Sequence, residues 1–239
     1  MNSSWGSTCG SALLPVISAL NDDVHINSGV LRAVRFCAKE GSIVRPAYPA
    51  AVGWGQAHPG SEIINAVSAA LSACTGQSLP RMPAQALVNC CFAGYRIFSL
   101  DSLVYPGAAA VNGMDGWGPP GYLARRRLPS VEKCELAFPE VLIERLEMVS
   151  DSVALGRWQG APACEVSVVL RAPTAVTACM GSLADKTVHP NLRPIFSICS
   201  GETKAPMDTF CANRRLPRGV LKLRTAAGLS YSEMGERYD

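Results

Sequence analysis

Residues 21–51, NDDVHINSGVLRAVRFCAKEGSIVRPAYPAA, constrain the fold more tightly than any other stretch of the chain. The segment carries two adjacent acids, an Asn-Ser-Gly turn, a short apolar run, a Glu-Gly-Ser turn and two prolines flanking Tyr48. Glycine enters positive φ without steric cost, so Gly29 and Gly41 mark sharp reversals of the backbone. Pro46 and Pro49 fix φ and hold the residues before them extended. A segment punctuated this way is rigid and specific rather than a solvated linker. Its plainest role is a corner between a helix and a sheet.

The elements around it follow from apolar spacing. Residues 12–20 read as a helix, with Leu13, Leu14, Val16, Ile17 and Leu20 on a broad apolar face and Pro15 tolerable in a first turn. Residues 61–74 carry the clearest helical pattern: Ile63, Ile64, Val67, Ala70, Leu71 and Cys74. Ser61 suits the N-cap, Glu62 the positive end of the dipole and Gly76 the C-terminal stop. This helix is expected to pack on a sheet. Residues 77–84, with two prolines, read as a turn.

Strand signals accumulate after that turn. Residues 86–92 are apolar except Asn89, and Val166, Val168 and Leu170 alternate with Ser167, Val169 and Arg171. Residues 174–180 are β-branched at every second or third position. Residues 140–149 are ambiguous, because Leu142, Ile143, Leu146 and Val149 have helical spacing. Residues 105–122 are rich in Gly, Ala and Pro and read as loop. The expected class is α+β, an antiparallel β-rich sheet with a few packed helices, helix-rich over 1–84 and mainly β over 85–239.

Composition bounds the function. With 239 residues the chain can bury a substantial core. A formal net charge of +3 is too small to argue for nucleic acid or an anionic membrane. The one dense basic run, Arg125-Arg126-Arg127, lacks interleaved stacking aromatics and reads as a solvated loop or the contact of an acidic partner. No apolar run approaches the ~18 residues of a membrane span. No charged segment followed by an apolar one opens the chain, so a cytoplasmic location is expected. The ten cysteines are scattered, without Cys-x-x-Cys or a His at zinc spacing, and read as reduced and mostly buried.

Three histidines limit the catalytic candidates. His25 neighbours Asp22 and Asp23, an arrangement open to a base or metal-ligand role or to a plain surface loop. Asn27 completes that loop. His58 precedes Pro59-Gly60 at the start of the 61–74 helix, where a helix N-terminus attracts anions. His189 reads as a loop residue, and Cys90-Cys91 within an apolar run as core. Neither a GxxxxGK[ST] loop nor a GxGxxG motif after a strand is present, so ATP is not expected on this chain by either device.

Three segments in order carry a resemblance. They are DDVHINSGV with the downstream Glu-Gly-Ser and Pro-x-x-Pro-Ala-Ala-Val, then DSVALGRWQGAPA at 151–163, then TAAGLSYSEMGERYD at 225–239. Together they resemble the hydantoinase B / 5-oxoprolinase family, whose members include a subunit of ATP-dependent hydantoinases and relatives in acetone and aryl-ketone carboxylases. The resemblance implies the C-terminal portion of a larger two-part fold, with 140–149 as a strand. It implies hydrolysis of cyclic amide C–N bonds shared with an A-type subunit that binds ATP and activates the substrate by phosphorylation. It places the family's divalent metal in an N-terminal region that has no counterpart motifs here, and so allows for a separate N-terminal B-type chain in a hetero-oligomer. The substrate-side candidates are then Asp22, Asp23, His25, Asn27 and His58. The sequence departs from the family at three glycine-rich sites, which here read Tyr105-Pro106-Gly107-Ala108, Gln159-Gly160-Ala161 and Ala227-Gly228-Leu229. Those departures favour the alternative of a non-catalytic structural subunit or a degenerate fragment.

Overall fold

The computed structural model describes residues 2–19, 23, 25, 27, 29–55, 58–77, 79, 81–83, 86–118, 130–180, 195–200, 203–206, 211–216 and 218–225. Asp22, the basic run 125–127, His189 and the tail 226–239 lie outside the described residues. The chain divides into two compact units, Met1–Met82 and Pro83–Asp239.

The first unit is built on α1 (Trp5–Ser18), the one-turn α2 (Val30–Ala33) and α3 (Gly60–Thr75). Ser4 caps α1, its side chain accepting from the Ser7 N–H, so the helix starts well before the apolar pattern suggested. Pro15 consequently lies in the interior of α1, one turn from its end. α3 begins at Gly60 with Pro59 at the N-cap, and Ser61 lies inside the helix. The Ser61 hydroxyl turns to the Glu62 carboxylate at 3.0 Å instead of capping the backbone. Gly76 stops α3 with φ +70, as its position led one to expect.

The two long helices meet through small residues. The buried positions are Thr8, Ser11 and Pro15 on α1 and Gly60, Ser61, Ile64 and Ser68 on α3. A Cβ on Gly60 would stand 2.8 Å from the Gly55 carbonyl oxygen and 2.9 Å from Ser11 Oγ, so glycine is what permits this approach. α3 therefore packs on a helix, where the sequence had suggested a sheet.

Residues 21–51 accordingly link helix to helix. Gly41 takes φ +80 and its N–H donates to Arg45 O at 2.8 Å, closing the turn bridged by Ser42 and Arg45. Gly29 has φ −64, so handedness does not require glycine there, and a Cβ would displace only the exposed Asn27 side chain, whose Oδ1 lies 2.8 Å away. The turn is tied to α1 by Thr8 Oγ1 donating to Val44 O at 2.7 Å and by Arg45 over the Trp5 ring.

The second unit holds two antiparallel sheets, confirming the α+β class. One sheet runs β2 (Arg96–Ser99), β1 (Ala86–Phe92), β5 (Thr174–Met180), β8 (Cys211–Leu216). The other runs β3 (Val141–Met148), β4 (Cys164–Leu170), β9 (Gly219–Arg224), β6 (Ile195–Ser200), β7 (Thr203–Pro206). A short helix, α4 (Val131–Ala137), precedes β3. Val88, Phe92, Phe98, Leu100, Val166, Val168, Val176, Phe196, Leu221 and Leu223 belong to one core cluster fed by both sheets. Alternation sets this up: on β9 Leu221 and Leu223 are buried while Lys222 between them is exposed.

Residues 141–148 form a strand despite helical apolar spacing, because the register shifts between Ile143 and Arg145. The extra residue, Glu144, resets the inward face and lets Ile143 and Leu146 follow different phases. Among the eight cysteines whose burial is described only Cys90 and Cys179 are buried, whereas Cys37 and Cys74 are exposed, so the expectation of mostly buried thiols does not hold. Small size and low polarity made burial the default, but Cys37 lies in a surface turn segment and Cys74 on the outer face of α3.

Candidate functional site

In the first unit the chemistry concentrates where α3 begins. The His58 N–H donates to Trp54 O at 2.9 Å, and the His58–Pro59 peptide is cis. One helical turn on, Glu62 Oε1 lies 3.1 Å from His58 Nδ1. Burial works hardest against ionising Glu62, but the His58 ring, the Glu62 backbone N–H and the Ser61 hydroxyl together outweigh it and hold the carboxyl below its ordinary value. In a neutral His58 ring, Nδ1–H donating to the ionised Glu62 carboxylate leaves the lone pair on Nε2.

The His58 side chain is only 9% exposed, and Nε2 is buried with no hydrogen-bond partner among the described residues. The start of α3 was the sequence's candidate for an anion cradle, yet the Glu62 carboxylate already occupies that electropositive end. What remains is a carboxylate-held imidazole, suited to accepting a proton rather than an anion. From the sequence, the turn over residues 53–62 is a place for a site, with Glu62 as the dipole residue at its end. His58 lies before the Pro59 N-cap, outside α3, so helical i, i+4 spacing does not by itself signal their pairing.

The loop candidates are placed differently. Asp23, His25 and Asn27 are exposed, and Asn27 Oδ1 accepts from the Gly29 N–H at 2.7 Å, a local turn bond. Asp22 lies outside the described residues. Among the described residues no three His, Cys, Asp or Glu side chains cluster as the ligands of a divalent metal would.

The second unit contains a cavity of about 240 Å³ lined by Leu103 to Gly107, Gly118, Leu146 to Met148, Ala161, Pro162 and Cys164. Residues 105–108 and 159–161 converge beside it. Ala161 N–H donates to Ala108 O at 2.9 Å, and Gly116 N–H donates to Gln159 O at 2.7 Å. Gly116 sits between them with no space for a side chain, since a Cβ would fall 2.1 Å from Ala108 O. Thr225 locks the same floor, its hydroxyl accepting from Cys164 N–H at 2.9 Å and reaching Tyr105 O at 3.1 Å. Burial pushes the Cys164 thiol up, with the Tyr105 backbone N–H pulling weakly the other way. A protonated thiol in an apolar pocket is a packing group, not a nucleophile.

Residues 1–192 match the Hydantoinase B/oxoprolinase family. The chain belongs to that family. Two solved structures share its fold. The ATP-dependent caprolactamase from Pseudomonas jessenii aligns with a TM-score of 0.75 at 17% identity, over 97% of this chain and 44% of that one. A nucleotide-free acetone carboxylase aligns with a TM-score of 0.69 at 12% identity, over 99% of this chain and 38% of that one. This Hydantoinase B/oxoprolinase chain thus spans less than half the length of either. Comparison with curated proteins finds no match. Among the described residues no helix is long and apolar enough to cross a membrane.

Proposed function

We propose that this chain is a B-type portion of an ATP-dependent hydrolase that opens cyclic amide C–N bonds, working in a cytoplasmic hetero-oligomer. Membership of the Hydantoinase B/oxoprolinase family over residues 1–192 carries the reading, and the fold shared with an ATP-dependent caprolactamase supports it. In this reading ATP binds an A-type partner, which activates the amide. A separate N-terminal B-type chain supplies what the longer relatives contain beyond this span, including any divalent metal. His58 contributes Nε2 as a proton acceptor for the attacking water, with Glu62 fixing its tautomer and orientation. The loop of Asp22, Asp23, His25 and Asn27 lies on the substrate side.

A second reading, a structural subunit without chemistry of its own, is favoured by the near-complete burial of His58 and by Ala108 and Ala161 standing where the resemblance expects glycine. The two separate in one experiment. The chain is co-expressed with A-type and N-terminal B-type subunits, fractionated by size exclusion, and assayed for ATP-dependent turnover of hydantoin and 5-oxoproline. Co-elution with turnover that falls about 100-fold in His58→Gln supports the catalytic reading. Co-elution with turnover indifferent to His58→Gln supports the structural one. Failure to co-elute sinks both.

A further inference from the structure

We propose that the open half of strand β3 is a self-association edge, where two copies of this chain pair antiparallel about Leu146. β3 lies at the edge of the five-stranded sheet, and its outer side is unevenly protected. Along its first half, the Val141 N–H donates to Phe138 O at 2.9 Å and the Ile143 N–H to Glu135 Oε1 at 2.8 Å, so the α4 region covers that edge. The second half has no such cover among the described residues.

The ladder with β4 shows which groups are left over. Val149 N–H donates to Ala163 O at 2.8 Å, so the strand points inward at Val149 and, by alternation, at Glu147 and Arg145. Leu146 and Met148 therefore turn their N–H and C=O groups to the open side, and the two residues are 38% and 65% exposed. Unpaired backbone groups beside exposed apolar side chains form a template for another strand. The same two residues rim the apolar cavity of this unit.

Charge selects the occupant and its register. Glu147 stands opposite Glu165 across the β3–β4 ladder, and Arg145 reaches both, at 2.6 Å and 3.5 Å. In a two-fold antiparallel pair centred on Leu146, residue 145 of one copy faces residue 147 of the other. Arg145 then meets Glu147 twice, and the Leu146 backbones exchange hydrogen bonds at the axis. An axis on Glu147 would oppose two carboxylates, one on Arg145 two guanidinium groups, and one on Met148 would leave Glu147 facing Val149. The strand is complementary to itself in one register.

The interface is short and belongs to the weak class, below about 1,200 Å². The test is sedimentation equilibrium of the whole chain across a concentration series reaching roughly 1 mM. Wild type is expected to dimerise. Arg145→Glu is expected to weaken association at least tenfold, and the swapped pair Arg145→Glu with Glu147→Arg to restore it, since opposite charges face each other again. Leu146→Pro removes a donor from the open side while sparing the β4 ladder, so it abolishes the dimer with the circular dichroism spectrum retained. Wild type monomeric throughout overturns the proposal. So does a dimer indifferent to Leu146→Pro and to the charge reversal, because it would use another surface. The outcome is independent of amide hydrolysis, so it neither rescues nor damages that reading.

Discussion

The two units bury opposite kinds of interior. In Pro83–Asp239 the core is aliphatic and aromatic, with Val88, Val166, Val168, Phe196, Leu221 and Leu223 fully inaccessible. In Met1–Met82 the described buried apolar side chains are Pro15, Ile64, Leu79 and Met82, outnumbered by Ser3, Thr8, Ser11, His58, Ser61 and Ser68. Apolar burial contributes about 25 cal/mol per Å², whereas a buried hydroxyl gains little beyond balancing its own desolvation. The β unit can therefore hold its shape by burial alone. The helical unit depends on closeness of approach, with Ser68 Oγ and His58 Nε2 buried without partners among the described residues, and that is where the carboxylate-held imidazole sits.

The largest expected effect tests the β side of this contrast. Leu221→Ala removes a side chain with 0% exposure from the middle strand of the five-stranded sheet. It should cost about 2–5 kcal/mol in chemical denaturation. A loss under about 1 kcal/mol would mean that the core collapses around the gap and is less specifically packed than its burial implies.

On the helical side the sensitive atom is one that is missing. Gly60→Ala places a methyl 2.8 Å from a backbone oxygen and 2.9 Å from a buried serine hydroxyl, so the helices must separate. The expected loss is about 1–3 kcal/mol by the same measurement, with no cavity formed. Gly10→Ala on α1 is the counterpart. A Cβ there meets nothing within 4 Å, so this variant should gain about 0.5–1 kcal/mol from helix propensity alone. Equal effects at the two glycines would break the claim that close approach organises this unit.

This contrast also explains what could be read from the sequence. β1 and β5 were legible residue by residue because buried strands announce themselves as short apolar or β-branched runs, 86–92 and 174–180. α1 was seen only in its apolar second half. Its first half, Trp5 to Gly10, buries a threonine beside serines, and an apolar template has nothing there to detect. β3 hid behind the residue inserted at Glu144, which gives a strand the apolar spacing of a helix. At the candidate site His58 was visible because histidine is rare in this chain, whereas its partner was not. Pairing depends on the turn at Pro59 that brings Glu62 back to the ring, and Glu62 alone is an ordinary first-turn acid.

The smallest expected effect concerns that pair and separates charge from packing. Glu62 has its folded value held below the ordinary 4.5, so the folded protein binds fewer protons at this site than the unfolded chain does. Its contribution is therefore fully present above about pH 4.5 and is lost as pH falls through the folded value. Glu62→Gln keeps an acceptor for His58 Nδ1 but removes the charge. The side chain is 41% exposed, so solvent screening limits the difference near neutral pH to under about 1 kcal/mol. Wild type should be the more stable near neutrality, and the two proteins should converge below pH 4.5 in denaturation curves taken across that range. A difference that persists unchanged into acid would show that Glu62 acts through its fit beneath the ring. The dyad would then be one more tight polar contact of the helical unit, and the proton-accepting role proposed for His58 would lose its electrostatic support.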